Sequence, residues 1–488
     1  MSDMAGIGFE LKKALHQKKT LSQYLSFFLY STFTCVGPWL LSILTLTLLM
    51  IIAHYFVPSK EEREIFVATS GYSFIMAQLI LGYFLFPITR YISDKLYVDK
   101  PSDIGSAYFG SFIIVEVIGL CIGILFYWKA PFIMEFKIMA VILIMVIIAV
   151  WHQFIFVSGV KNYKNIAIGY AMGNGVAIVL SVILLTHPIK FADTEMALNL
   201  IIAYSVGFSV TFIILYITII NTFPLGKSHI FKVCYYFFHH KVLGLTSLFI
   251  SLVTWCPLIL IWWLSPLSIK VGDFYTINPI YDVSYFFSVL TIMPSIVYFT
   301  IMMETQFYEK YKIYFSLIAK NGQLEQIHNA RKDMVRTLYF HMLNLVEIQL
   351  FFSIVIIIFA KTIFYALGLP IIAVDIFREL TLGGICFSTV SILSLILQYF
   401  EFRAVVCKIW IVFFVVVVGL TLFFLRGDFI FIGYAYLIAS GIILVLTLFI
   451  TRRYVRDVDF YTFYFQPFYA KEKMGRIEQF FDRLKDTK

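Results

Sequence analysis

Twelve apolar runs, each of about 20 residues or more, constrain this chain more than any other feature. A predominantly apolar run of about 20 residues forms a helix just long enough to cross the ~30 Å hydrocarbon core of a bilayer. The runs fall at roughly 22–56, 65–89, 104–128, 138–160, 165–186 and 197–222, then 238–264, 279–303, 338–360, 371–400, 405–425 and 429–451. They are continuous, not ten-residue segments of alternating polarity, so the expectation is transmembrane helices and not a β-barrel. Of the 488 residues 61% are hydrophobic and 14% charged, where a soluble domain carries about a quarter charged. The expected fold class is an all-α polytopic membrane protein with twelve transmembrane helices in two six-helix lobes.

Orientation follows from the Lys and Arg residues, which favour cytoplasmic loops. With the N-terminus in the cytoplasm, the cytoplasmic segments carry 29 of the 38 Lys and Arg residues and the external loops carry 8, with Arg378 inside the tenth run. Both termini are then cytoplasmic and the span number is even. The net charge of +9 is accounted for by topology, and nucleic-acid binding is not indicated. The expected organisation is a cytoplasmic N-terminus at 1–21, an N-lobe at 22–222, an inter-lobe linker at 223–237, a C-lobe at 238–451 and a cytoplasmic tail at 452–488. Within the C-lobe, residues 304–336 form the longest loop. There Phe307, Tyr308, Tyr311, Tyr314, Phe315 and Ile318 recur at helical spacing with Lys310 and Lys312 between them. That pattern predicts an amphipathic helix on the inner membrane surface. A short surface helix is expected from Lys471 to Lys488.

Few residues carry chemistry. The six cysteines form no CxxC pair and lie mostly within apolar runs, so neither a disulfide framework nor a metal site is expected. No Walker A loop, GxSxG, HExxH or dinucleotide fingerprint occurs. Neither a catalytic residue nor a cofactor is expected, and the chain reads as a non-enzyme. Ionisable groups within spans are costly and usually face a cavity or a partner. The ionisable residues within spans are Glu116, His152, Asp282, Glu347, Asp375, Arg378 and Glu379, and the first six are the candidates for a substrate or ion path. Asp375 and Arg378 share a helix face three residues apart, whereas Glu379 points about 100° away from Arg378. The pair reads equally as a structural ion pair or as a cavity-lining contact for a sugar or ion. Glu347 shares its helix with His341, Asn344 and Gln349, a group more polar than packing alone requires. His152 beside Gln153 reads foremost as a polar contact between helices, with a proton relay as the alternative. Helix kinks are expected at Gly37 and Pro38, at Pro257 and at Pro294.

Several segments carry a resemblance. They are Met4-Ala5-Gly6-Ile7-Gly8-Phe9-Glu10-Leu11 followed by Lys12-Lys13, then Gly37-Pro38-Trp39, then Thr89-Arg90-Tyr91-Ile92-Ser93-Asp94-Lys95-Leu96-Tyr97. A further one runs from Tyr281-Asp282 through Pro294 to Glu304-Thr305-Gln306-Phe307-Tyr308. In these the chain resembles the Pel exopolysaccharide transporter family, PelG, within the superfamily of polysaccharide flippases and multidrug/toxin extruders. The resemblance implies a two-lobed bundle around a central cavity that opens alternately to each side. It implies export of a nascent amino-sugar polysaccharide across the bacterial inner membrane for a biofilm matrix. It also implies partners, namely the cytosolic glycosyltransferase PelF and the membrane proteins PelD and PelE. The alternative is an ion-coupled exporter of drugs or small molecules on the same fold.

Overall fold

The computed structural model describes residues 42, 44–159, 163–190, 195–224, 226, 230–320, 322–366 and 368–464. The expected kink at Gly37 and Pro38 and the expected helix at Lys471–Lys488 lie outside the described residues. The described chain is almost wholly helical. Eleven of its helices are long and apolar enough to cross a membrane, and a shorter apolar helix, α1 (Leu44–Phe56), falls within the first expected run.

The helices form where the runs predict, with ends set by local chemistry. α2 (Lys60–Gly82) starts at Ser59, whose hydroxyl accepts from the Glu62 N–H at 3.3 Å, and Glu61 and Glu62 complement the helix dipole. A break at Tyr83–Phe84 leads into α3 (Leu85–Tyr97). α4 (Pro101–Tyr127) opens on a proline, whose missing N–H costs nothing in a first turn. α5 (Met134–Gly159), α6 (Tyr163–Thr186) and α7 (Glu195–Thr222) follow. The Glu62 carboxylate reaches the first turn of α7 and accepts from the N–H groups of Met196 and Ala197 at 2.7 and 3.0 Å. A short helix, α8 (Lys232–His239), precedes α9 (Lys241–Leu264), which contains Pro257.

After α9 the chain makes a two-stranded antiparallel hairpin, β1 (Ile269–Val271) and β2 (Tyr275–Ile277), which the sequence reading treated only as loop. Gly272 and Asp273 turn it with φ of 56° and 52°. Tyr275 is buried, and its hydroxyl lies 2.9 Å from both Thr69 Oγ1 and the Tyr127 hydroxyl. Tyr72 donates to the Thr276 carbonyl at 2.8 Å. The hairpin is thus fixed to α2 and α4.

The remaining elements are α10 (Pro279–Leu290), α11 (Met293–Met302), a π-helical turn at Met303–Phe307, α12 (Tyr308–Ala319) and α13 (Leu324–Ala366). They are followed by α14 (Ile371–Tyr399), α15 (Arg403–Phe424), α16 (Ile432–Arg456) and α17 (Val458–Tyr464).

The described residues divide into two compact units. The first comprises 44–278 and 403–414, and the second comprises 279–402 and 415–464. The seventh span, α9, therefore packs with the first unit, and the division falls at Asn278 instead of at the expected linker. Small residues explain this, because they let helices approach closely. A Cβ on Gly82 would lie 2.9 Å from Ser251 Oγ, and one on Gly244 would lie 2.7 Å from the Tyr83 ring. In the first unit α2 and α4 pack on α5, and α5 packs on α7. In the second unit α10 and α13 pack on α14, and α14 packs on α16. The same relations recur for spans two, three, four and six of each half, so the two halves repeat one packing pattern.

Within 304–336 the described residues form the π-helical turn, α12 and the first part of α13. α12 folds back on α13, whose 43 residues extend about 64 Å, twice a bilayer core. Phe307 and Tyr314 are buried in a cluster with Met334 and Leu338 of α13, Ile396 of α14 and Val455 of α16. Of the aromatic stripe read as membrane-facing, Phe307, Tyr311, Tyr314, Phe315 and Ile318 pack against protein, whereas Tyr308 is exposed.

Candidate functional site

In the first unit, α4 and α5 bring buried polar groups together. His152 is fully buried, with Nε2 2.8 Å from Ser111 Oγ. Its ring lies among those of Tyr108, Phe112 and Phe156, with centroids 5.1–5.8 Å away. Gln153 donates to the Tyr108 hydroxyl at 3.0 Å. Among the described residues, His152 Nδ1 and Gln153 Oε1 have no hydrogen-bond partner. Glu116 lies one helical turn beyond Phe112 on the same face of α4, half-buried, with its buried Oε1 unpaired. His152 and Glu116 thus share one side of α4 without a hydrogen bond between them.

In the second unit, Arg378 Nη1 lies 3.4 Å from Asp375 Oδ1, across one turn of α14, and both side chains are about 40% exposed. Glu379, buried on another face, packs against the first turn of α16, close to the backbone N–H groups of Gly433 and Tyr434. Only glycine fits at 433, since a Cβ there would lie 2.5 Å from Glu379 Oε2. A carboxylate at a helix N-terminus is favourably placed. Glu379 is among the ionisable residues expected within the spans, and Gly433 is the residue that makes room for it. Asp282 occupies the first turn of α10, half-buried.

The polar residues of α13 divide between two faces. Gln349 is buried and repairs a helix break. Pro294 has no N–H, so the chain cannot continue α10 into α11 with regular bonds. The Ser295 N–H turns to the Ile292 carbonyl at 3.2 Å. Gln349 Nε2 donates to the Thr291 carbonyl at 3.1 Å and to Ser353 Oγ at 3.0 Å, and Gln349 Oε1 accepts from Ser295 Oγ. Pro294 therefore coincides with the expected break, whereas Pro257 lies within a continuous α9. His341 Nε2 lies 2.8 Å from Gln306 Oε1, on the π-helical turn, and Nδ1 lies 3.1 Å from the Tyr298 hydroxyl. Glu347 is exposed, on the face that also carries Leu343, Leu350 and Ile354.

A third group lies at the Lys/Arg-rich end of the first unit, outside the spans. Here α3 carries the Thr89–Tyr97 motif. Arg90 Nε is 3.0 Å from Asp94 Oδ1, and Asp94 Oδ2 accepts from the Tyr236 hydroxyl at the end of α8. Lys95 pairs with Asp103 at 2.6 Å. The Tyr236 and His240 rings are 4.2 Å apart, and Arg403 Nη1 lies 3.3 Å from His240 Nδ1. Burial, with His239 and Arg403 beside it, pushes the His240 imidazole down to about 4. Burial and Asp94 push the Tyr236 hydroxyl up. Described residues of the region expected to be a linker pack closely on α4 here. A Cβ on Gly105 would meet the Phe223 carbonyl at 2.7 Å, and one on Gly110 the Ile230 carbonyl at 2.0 Å.

These groups can bind, orient and exchange hydrogen bonds. Among the described residues no cluster of His, Cys, Asp and Glu could hold a metal ion.

Comparison with known proteins places this geometry. Residues 4–463 match the family described as PelG, "Putative exopolysaccharide Exporter (EPS-E)". No protein of curated function matches the sequence. Among solved structures, a MATE transporter in the straight conformation is similar with a TM-score of 0.60 and 12% identity, over 88% of this chain and 96% of that one. The Vibrio cholerae MATE transporter VcmN matches with a TM-score of 0.60 and 12% identity, over 88% and 98%. A MOP superfamily transporter from Pyrococcus furiosus matches with a TM-score of 0.58 and 13% identity, over 88% and 96%. At such identities the likeness establishes the fold alone, a multi-pass helical membrane bundle of the kind these structures share. The chain belongs to the PelG family of exopolysaccharide exporters.

Proposed function

We propose that this protein exports a nascent amino-sugar exopolysaccharide of the Pel type across the bacterial cytoplasmic membrane, by alternating access or by threading, to build a biofilm matrix. The observation that carries this reading is the family match over residues 4–463. The Lys and Arg bias supports cytoplasmic termini, with the polymer arriving from the side that carries α12 and the start of α13. The proposed partners are the glycosyltransferase PelF, which would supply polymer at that side, and the membrane proteins PelD and PelE. Glu347 and Arg378 would contact sugar or ion from the second unit, and Glu116 from the first. The exposure of Glu347 and the partial exposure of Arg378 support these roles. His152, Asp282 and Asp375 are secondary candidates.

The test uses cells that lack this protein but keep an active cytosolic glycosyltransferase. Surface polymer is expected to disappear, to return with the intact gene, and to remain low with Glu347→Gln or Arg378→Ala at normal expression. Wild-type export by both variants would remove these site assignments. Unchanged surface polymer in the null cells would instead favour an ion-coupled exporter of drugs or small molecules; one structural neighbour is described as a multidrug resistance MATE family transporter.

A further inference from the structure

α8 has two apolar faces. Val233 and Phe237 are buried against the first unit, with the Phe237 ring 5.2 Å from Phe84 and its carbonyl accepting from the Tyr83 hydroxyl at 3.1 Å. Phe231, at its N-cap, and Phe238 point the other way, two turns apart, and are 50% and 51% exposed. Exposed Lys232 and Lys241 flank that outer face. Only His240 separates the end of α8 from the start of α9, a candidate membrane span, so α8 lies next to the end of a span.

We propose that α8, with the basic cluster behind it, binds the phosphate headgroup of an anionic phospholipid while Phe231 and Phe238 sit in the bilayer interface. Aromatic residues beside Lys and Arg on a helix at a span's end are the composition that interfacial binding requires. The charge balance selects the headgroup. Arg90, Arg403, Lys232 and Lys241 stand against Asp94, and counting Glu401, two residues before Arg403 in the sequence, still leaves an excess of positive charge. Lys95 is already closed by Asp103. His240 adds a directed donor. Neutral, and with Nδ1 accepting from Arg403, it carries its proton on Nε2, free to donate to an oxyanion. Gly105 and Gly110 let the backbone at Phe223, Pro224 and Ile230 pack closely on α4, which anchors the chain on the N-terminal side of α8.

The experiment incubates the purified full-length protein with equal amounts of phosphatidylglycerol and phosphatidylcholine, then measures the retained lipids by native mass spectrometry. The wild type is expected to retain phosphatidylglycerol in preference. Arg90→Gln and Arg403→Gln should each lower that preference about 5-fold. Arg403→Lys, which keeps the charge, should preserve it, and this guards against misreading a folding defect. Phe231→Ser with Phe238→Ser should lower retention of both lipids without changing their ratio. Equal retention by the wild type, or an undiminished preference in the arginine variants, would overturn the proposal. Displacement of phosphatidylglycerol by about 10 mM inorganic phosphate would also overturn it, by identifying a free-phosphate site.

Discussion

Replacing Gln349 with leucine removes a three-bond polar staple while nearly preserving side-chain volume. The glutamine joins the Thr291 carbonyl, Ser295 Oγ and Ser353 Oγ at the gap between α10 and α11. Interhelical hydrogen bonds in membranes contribute about 0.6 kcal/mol on average and up to about 1.7. Leaving a buried carbonyl and hydroxyl without partners adds a desolvation cost of about 1–3 kcal/mol per group, reduced where neighbours relax. The Ser353 bond is intrahelical, and its hydroxyl has the helix's own carbonyls as alternatives. The sum for Gln349→Leu is about 2–4 kcal/mol, and for Ser353→Ala less than about 1 kcal/mol. Unfolding by titration with a denaturing detergent, followed by tryptophan fluorescence, measures both. A Gln349→Leu variant within about 0.5 kcal/mol of wild type would show that the helix break does not depend on α13, and would refute the reasoning.

Three further predictions use the same assay. Glu62→Ala should cost about 1–2 kcal/mol, because α7 loses a carboxylate that caps two backbone N–H groups; Glu62→Asp should recover part of it. Gly110→Ala should cost at least about 1–3 kcal/mol, since the new methyl meets a backbone carbonyl that cannot rotate away, whereas an alanine at Gly71, where nothing lies within 4 Å, should be harmless. His240 has a folded-state value of about 4 against an ordinary 6.5, so between these values the unfolded chain binds more protons. Stability should therefore fall as pH drops from about 6.5 toward 4, with a slope softened by partial solvent exposure, and His240→Gln should remove that slope.

The spans were legible because lipid permits no ambiguity. Backbone groups in hydrocarbon must bond within the segment, so continuous apolar runs have one outcome. The Asp375–Arg378 pair was legible for a local reason, since three-residue spacing on a helix decides it. What escaped depends on contacts between distant segments. Tyr275 became the anchor of a hairpin through Thr69 and Tyr127, more than a hundred residues away. Gln349 was visible as a polar residue in a span, yet its task is defined by Pro294 on another helix. The aromatic stripe at 307–318 has the same spacing whether it faces lipid or protein, and only α13, α14 and α16 decide between them. The residues at 223–237 read as a linker because nothing in their composition shows that Gly105 and Gly110 receive the backbone at Phe223, Pro224 and Ile230, or that Asp94 accepts from Tyr236.

The most direct measurement of the export claim uses inverted membrane vesicles supplied with the glycosyltransferase and a radiolabelled sugar donor. Polymer made on the exposed face is degraded by an added glycoside hydrolase, whereas polymer moved into the lumen is protected. Export by this protein predicts protected polymer in vesicles that contain it, and none in vesicles that lack it but synthesise the same amount. Equal protection in both, or none in either despite normal synthesis, would contradict the account.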